Sequence, residues 1–177
     1  MQEHTDGERQ GKDIIGMPVI TVQEGRRLGE VTALLVRRED MTVAAIRIGS
    51  QLAPGQAVPF RNLRLIGIDA IMIDSTASLE PAYPTEEVRN LDDAVTGRAV
   101  ITVSGERLGT ISGFWVDTTN GRLTAYRVHP DAGLLSRLTN LLHNDTFEVP
   151  ADQVQGLGAA ALIVMDTVAT MGSKELS

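Results

Sequence analysis

The chain contains no cysteine, which excludes disulfides, thiolate zinc sites, iron–sulfur clusters and a cysteine nucleophile together. Aromatic residues are scarce, with one tryptophan, two tyrosines and three phenylalanines in 177 residues. Any core must therefore be aliphatic and β-branched. Long apolar runs are missing too, the longest lying near Ala159 to Met165, whereas a helix that crosses a bilayer needs about 20 apolar residues. Met1 to Asp13 is polar and acidic and lacks the apolar centre of a signal peptide. A cytoplasmic protein with no transmembrane segment is expected. Positive charge is also short: the net charge is −7 and neither half is basic. Phosphate neutralisation supplies most non-specific affinity for nucleic acid, so DNA or RNA is disfavoured as the main ligand.

What the chain does have is hydrophobic content of 42% and an internal repeat. Gly16-Met-Pro-Val-Ile-Thr-Val22 matches Gly97-Arg-Ala-Val-Ile-Thr-Val103 at an offset of 81 residues. Gly25-Arg-Arg-Leu-Gly-Glu-Val31 then matches Gly105-Glu-Arg-Leu-Gly-Thr-Ile111, and Val43 to Arg47 matches Leu123 to Arg127, both at 80. A third block, at 91, pairs Val58-Pro59 with Val149-Pro150 and Ala70-Ile-Met-Ile73 with Ala161-Leu-Ile-Val164. Such self-similarity is the mark of duplication. The jump in offset places an insertion in the second copy between Arg127 and Val149.

Each copy reads as a run of short strands. Val19 to Val22, Gly29 to Val36 and Val43 to Ile48 are β-rich and separated by polar turns. In the second copy the turn at Thr118 to Gly121 ends in Asn-Gly, which predicts positive φ at both residues and an antiparallel hairpin. Gly29 and Gly109 sit inside otherwise good strands and predict bulges or sharp bends. Pro59 and Pro150 lack an N–H and should end a strand, leaving Phe60 to Leu63 and Ala151 to Val154 as single helical turns. A final strand, Ala70 to Asp74 or Ala161 to Asp166, completes each copy.

These residues resemble the PRC-barrel family, known from the cytoplasmic domain of the photosynthetic reaction-centre H subunit and from a ribosome-maturation factor. The resemblance rests on Gly16-x-Pro-Val with Gly25-x-x-Leu-Gly-x-Val31, then Val58-Pro59-Phe60, Leu63, Ile66-Gly67 and the hydrophobic final strand. The second copy repeats the frame from Gly97 to Asp166, with Ala99 for the proline and Ala151 for Phe60. The chain lacks the reaction-centre subunit's membrane helix, and the additional domain and basic character of the ribosome factor. It resembles instead the stand-alone bacterial members. The resemblance implies docking modules and carries over no catalytic residues.

The expected architecture is all-β, with two small PRC-like β-barrels in tandem. Residues 1–12 form a disordered tail, 13–78 the first barrel, 79–92 a proline-bearing linker, 93–170 the second barrel and 171–177 a second tail. In the linker Thr85 is a candidate N-cap for a short helix through Val88. A helical insertion spans about 131–143, where Leu134, Leu135, Leu138, Leu141 and Leu142 fall on one face of an amphipathic helix. That stripe either packs on its own barrel, docks a protein partner or a second copy, or lies on a membrane surface; the single Arg137 on its polar side disfavours the last.

Other chemistry is sparse. His129-Pro-Asp131 and His143-Asn-Asp145 bracket the insertion but match no established metal spacing, and His4 falls in the tail. Ser112 lies on a strand, out of register for a nucleophile elbow, and its counterpart Thr32 is another small hydroxyl residue. Asp117 to Gly121 is too poor in ligands for calcium and reads as a turn. Trp115 is either core or an exposed docking anchor. Arg47 and Arg127 are candidates for outward strand positions. No cofactor, metal or catalytic residue is expected, and the predicted role is a non-catalytic interaction or adaptor module that can self-associate. Two alternatives stay open: association with RNA or the ribosome, and binding of a small ligand or a membrane surface.

Overall fold

The structure, a computed structural model, describes residues 7–49, 55–80, 88–135 and 145–171. Strands come in short pieces with turns every few residues. The first repeat supplies β1 (Glu8–Gln10), β2 (Pro18–Thr21), β3 (Arg27–Arg37), β4 (Val43–Gly49), β5 (Ala57–Pro59), β6 (Leu63–Ile66) and β7 (Ile71–Ile73). The second supplies β8 (Val88–Asn90), β9 (Ala99–Thr102), β10 (Arg107–Asp117), β11 (Leu123–Pro130), β12 (Phe147–Pro150), β13 (Val154–Leu157) and β14 (Ala161–Val164). Helices are single turns: α1 (Gly11–Ile14), α2 (Leu91–Val95), α3 (Ala132–Leu135) and α4 (Thr167–Thr170).

Two sheets of seven strands result, ordered β5-β4-β3-β2-β7-β6 and β12-β11-β10-β9-β14-β13. Their registers coincide at the offsets read from the sequence. Val19 faces Ile71 across a parallel pairing, as Val100 faces Leu162. Ala45 faces Pro59 across an antiparallel one, as Ala125 faces Pro150. The cores are aliphatic as the composition requires, with Val19, Val31, Ile46, Ile71 and Ile73 buried in one sheet and Val100, Leu108, Ile111, Val149 and Leu162 in the other.

The seventh strand of each sheet comes from the opposite repeat. β8, which leads the second repeat, pairs with β3, placing Leu35 opposite Asn90 and Arg37 opposite Val88. β1, which leads the first, pairs with β10. The first repeat is therefore ordered ahead of residue 13, and the stretch expected to be linker ends in a strand and helix α2. Neither strand has a local signal, because three residues gain their order from the strand they join rather than from their own propensity. Residues 81–87, with Thr85, lie outside the described residues; helix α2 starts at Leu91.

The bulges lie where the glycines predict. Register shifts occur between Arg107 and Gly109, and opposite Gly29 between Val19 and Ile20. A Cβ on Gly29 would fall onto the carbonyl oxygen of Gly49, and one on Gly109 onto that of His129, so only glycine permits this approach of backbones. Buried Thr21 and Thr102 close the next turn in the same way, each hydroxyl accepting a backbone N–H, from Arg26 at 3.1 Å and from Glu106 at 3.0 Å.

The Asn120-Gly121 turn differs from expectation. Gly121 has φ +74°, but Asn120 is not among the residues with positive φ, so one left-handed residue suffices. Gly121 N–H donates to Asp117 O at 2.8 Å, and Asp117 N–H to Arg122 O at 2.8 Å. This is a longer loop with glycine at its left-handed end rather than a two-residue hairpin. In the first repeat the same place is held by Met41, at φ +54°.

By contact the described residues divide into two compact units, one holding the chain up to Ala94 with Val116–Leu123, the other Val95–Trp115 with the residues from Thr124 on. The tip of the β10–β11 hairpin thus belongs to the unit built on the first repeat. There Val43 N–H donates to Gly121 O at 2.8 Å, and Thr42 bridges Arg122.

Candidate functional site

The long central strand of each sheet carries the contrast that defines a candidate site. Along a strand side chains alternate between faces, so each of β3 and β10 shows one face to its barrel core and one outward. On β3, Ala33 and Leu35 hold the places of the half-buried Gly113 and Trp115 of β10, and Leu34 and Val36 those of the buried Phe114 and Val116. All four β3 residues are buried, and Leu35 is only 2% exposed. Their neighbours Ala45 on β4 and Ala57 on β5 are buried too, joining Val88 in one apolar cluster. Arg47, in register with Ala33 and Ala57, is half-buried at its margin.

The corresponding face of the second sheet is different. Gly113 stands for Ala33, Trp115 for Leu35, Arg127 for Arg47 and Glu148 for Ala57. All four are half-buried rather than sealed. Arg127 faces Glu148 across the β11–β12 pairing, and the indole N–H of Trp115 donates to Glu148 Oε1 at 2.6 Å. A charge-assisted bond to a carboxylate fixes the orientation of the half-buried ring. Gly113 adds no side chain here, and a Cβ on it would meet only Arg127 Cβ, at 3.9 Å.

Trp115 and Leu134, the leucine of the stripe whose side chain is described, are held at different points along β10. Helix α3 is tied to the start of β10: Asp131 N–H donates to Leu108 O at 3.0 Å, and the Asp131 carboxylate meets Arg107 at 2.9 Å. Trp115 lies seven residues further along that strand, roughly 23 Å at the usual strand rise. Leu134 is buried, at 4% exposure. Leu135 ends α3, and Leu138, Leu141, Leu142 and His143 lie outside the described residues, as does His4.

The remaining candidates take structural places. Ser112 is exposed and its hydroxyl donates to Arg127 O at 3.4 Å, just as Thr32 donates to Arg47 O at 3.4 Å. Slight burial raises the Asp117 carboxyl, but the bonds it accepts from Thr119 and Asn120 prevail and hold it below 3.8. Tyr126, buried in β11, has its phenol pushed up to about 12 by desolvation. It is a core residue and a poor proton donor at neutral pH. Among the described residues no group of three or more His, Cys, Asp or Glu side chains could hold a metal ion, and no helix is long and apolar enough to cross a membrane.

The residues that sequence reasoning missed are Glu148 and Asp152. Neither belongs to a motif. Their signal is positional, since they replace Ala57 and Arg61 of the first copy and show only when the third block of the repeat is aligned.

Fold and site together define a protein built of two duplicated, mostly β modules, each a small barrel whose central strand carries an outward face. The PRC-barrel domain model matches the chain twice, over residues 6–80 and 88–169, and the chain belongs to the PRC-barrel family. Each match takes in its own leading strand, β1 or β8, which the fold lends to the other sheet. No curated protein matches the chain significantly. Domains of this family are often interaction modules and are generally non-catalytic.

Proposed function

We propose that this chain is a non-catalytic adaptor that binds a protein partner through the outer face of its second barrel. The observation that supports the reading is the half-buried Trp115, bonded to Glu148 on a face that the first barrel closes with Leu35 and Ala57. A large, rigid aromatic with a polar handle on a partly open sheet is the kind of side chain that dominates binding energy at interfaces. Leu138, Leu141 and Leu142 of the insertion are kept as a second candidate from the sequence, and self-association through either one fits the same reading.

The experiment is quantitative capture from native lysate, with the retained proteins identified and compared among wild type, Trp115→Arg and Leu138→Asp. The account expects a saturable partner that wild type retains and Trp115→Arg loses. Identical retention by all three proteins would remove both surfaces from consideration.

A further inference from the structure

The first barrel carries an apolar surface on the side away from its core. Along β2 and β7 burial alternates: Val19, Ile71 and Ile73 are fully buried, whereas Ile20 and Met72 are half-buried. Alternation of side chains along a strand places Ile20 and Met72 on the face opposite the core. Ile20 pairs with Met72, and Met72 with Leu65 of β6, so three apolar side chains lie in register across three strands. Leu65 is 58% exposed, and Val22 and Ile68, just past the strand ends, are 44% and 77% exposed. Single apolar side chains on a surface need no account, but a contiguous row marks a place that another surface covers.

On β3 the row continues as charge. Ile20 pairs with Arg27 and Pro18 with Glu30, and the Arg27 and Glu30 side chains form an exposed ion pair. The second barrel keeps part of this surface and drops the rest. Ile101 and Ile163 hold the places of Ile20 and Met72 and are half-buried. Gly156 and Ala159, however, replace Leu65 and Ile68, and Thr110 replaces Glu30. Arg107, in the place of Arg27, is bound to Asp131 instead. The barrel therefore folds without the two exposed apolar side chains and without the Arg27–Glu30 pair.

We propose that the β2-β7-β6 face of the first barrel docks a second copy of this chain, in a two-fold dimer whose axis runs across the strands. The surface is separate from Trp115, so the proposal goes beyond the adaptor reading and does not rest on it. A two-fold contact sets the same patch on both sides and must be self-complementary. Rotation about this axis turns each β3 end for end over its counterpart. Arg27 of one copy then meets Glu30 of the other, and the exchange occurs twice. The same rotation carries Leu65 of each copy toward the turn that bears Ile68 in the other. Apolar burial supplies the affinity, and the charges set the register and select a second copy as the occupant. The second barrel, with Thr110 in the place of Glu30, cannot make this exchange. A chain thus offers one such face, and the closed contact stops at two copies.

The test is sedimentation of the full chain over a concentration series. Wild type should pass from monomer to dimer. Leu65→Asp, a change at an exposed site, should raise the dimer dissociation constant at least about tenfold, because its carboxylate would be buried without a partner. Arg27→Glu and Glu30→Arg should each weaken self-association, since like charges then meet across the axis. An equimolar mixture of those two variants should restore the dimer, because each again faces the opposite charge. The proposal is overturned if wild type stays monomeric throughout, if the dimer is indifferent to Leu65→Asp, or if the mixture associates no better than its components.

Discussion

The outer faces of the two barrels share a backbone and differ in what they bury. In the first, Ala33, Leu35, Ala45 and Ala57 are sealed and the returning chain bridges the edge at Glu80. In the second, Gly113, Trp115 and Glu148 stand half-exposed in the places of Ala33, Leu35 and Ala57, while Ala125, like Ala45, is buried. Duplication makes each copy a control for the other. Positions whose chemistry agrees in both, such as Gly29 with Gly109 and Thr21 with Thr102, answer to the fold, and positions whose chemistry diverges have been released from it.

The largest effect should separate the two faces directly. Leu35→Ala removes a fully buried side chain and should cost about 3 kcal/mol, whereas Trp115→Leu, which gives the second face the residue of the first, should cost under about 1 kcal/mol. Urea unfolding of the two variants makes the measurement; equal costs would mean that Trp115 is core. A shared element should respond alike in both copies. Thr21→Val and Thr102→Val each strand a turn N–H, and each should cost about 1.5 kcal/mol.

A smaller effect of opposite sign is expected at Met41. A residue with a side chain pays about 1 kcal/mol for the left-handed conformation that Gly121 adopts freely in the other copy. Met41→Gly should therefore raise stability by up to that amount, read as a shift in the unfolding midpoint. The smallest effect is electrostatic. At Asp40, as at Asp117, burial pulls the carboxyl upward and is outweighed, here by the Thr42 and Arg37 hydrogen bonds. Both carboxyls titrate lower in the folded chain than the ordinary 3.8, so what they add to stability is complete above that pH and drains away as pH falls through the folded value. Replacing both by Asn should flatten the loss of stability below about pH 4, measured by urea midpoints across the acid limb.

Much of the fold is legible in the residues because the duplication prints its registers as offsets and because glycine and proline act locally. Gly29 and Gly109 mark their bulges, and Pro59 and Pro150 close β5 and β12. The exchanged strands β1 and β8 are illegible for the opposite reason: Glu8 to Gln10 and Val88 to Asn90 carry no alternation, and their order is conferred by distant partners. Met41 hides a left-handed turn position because nothing in a methionine announces it. Of the site, Trp115 could be singled out as a lone aromatic, but the Glu148 carboxylate beside it and the sign change from Arg61 to Asp152 emerge only when the two edges are superimposed residue by residue.

Trp115 is the only tryptophan in the chain, so its fluorescence tests the central contrast with no further labelling. Acrylamide should quench it in the free protein, while a companion protein with Trp115→Leu and Leu35→Trp should emit from a site that resists quenching. An indole at 115 as inaccessible as the one placed at 35 would mean that both faces are closed and that no docking surface separates the two halves of the duplication.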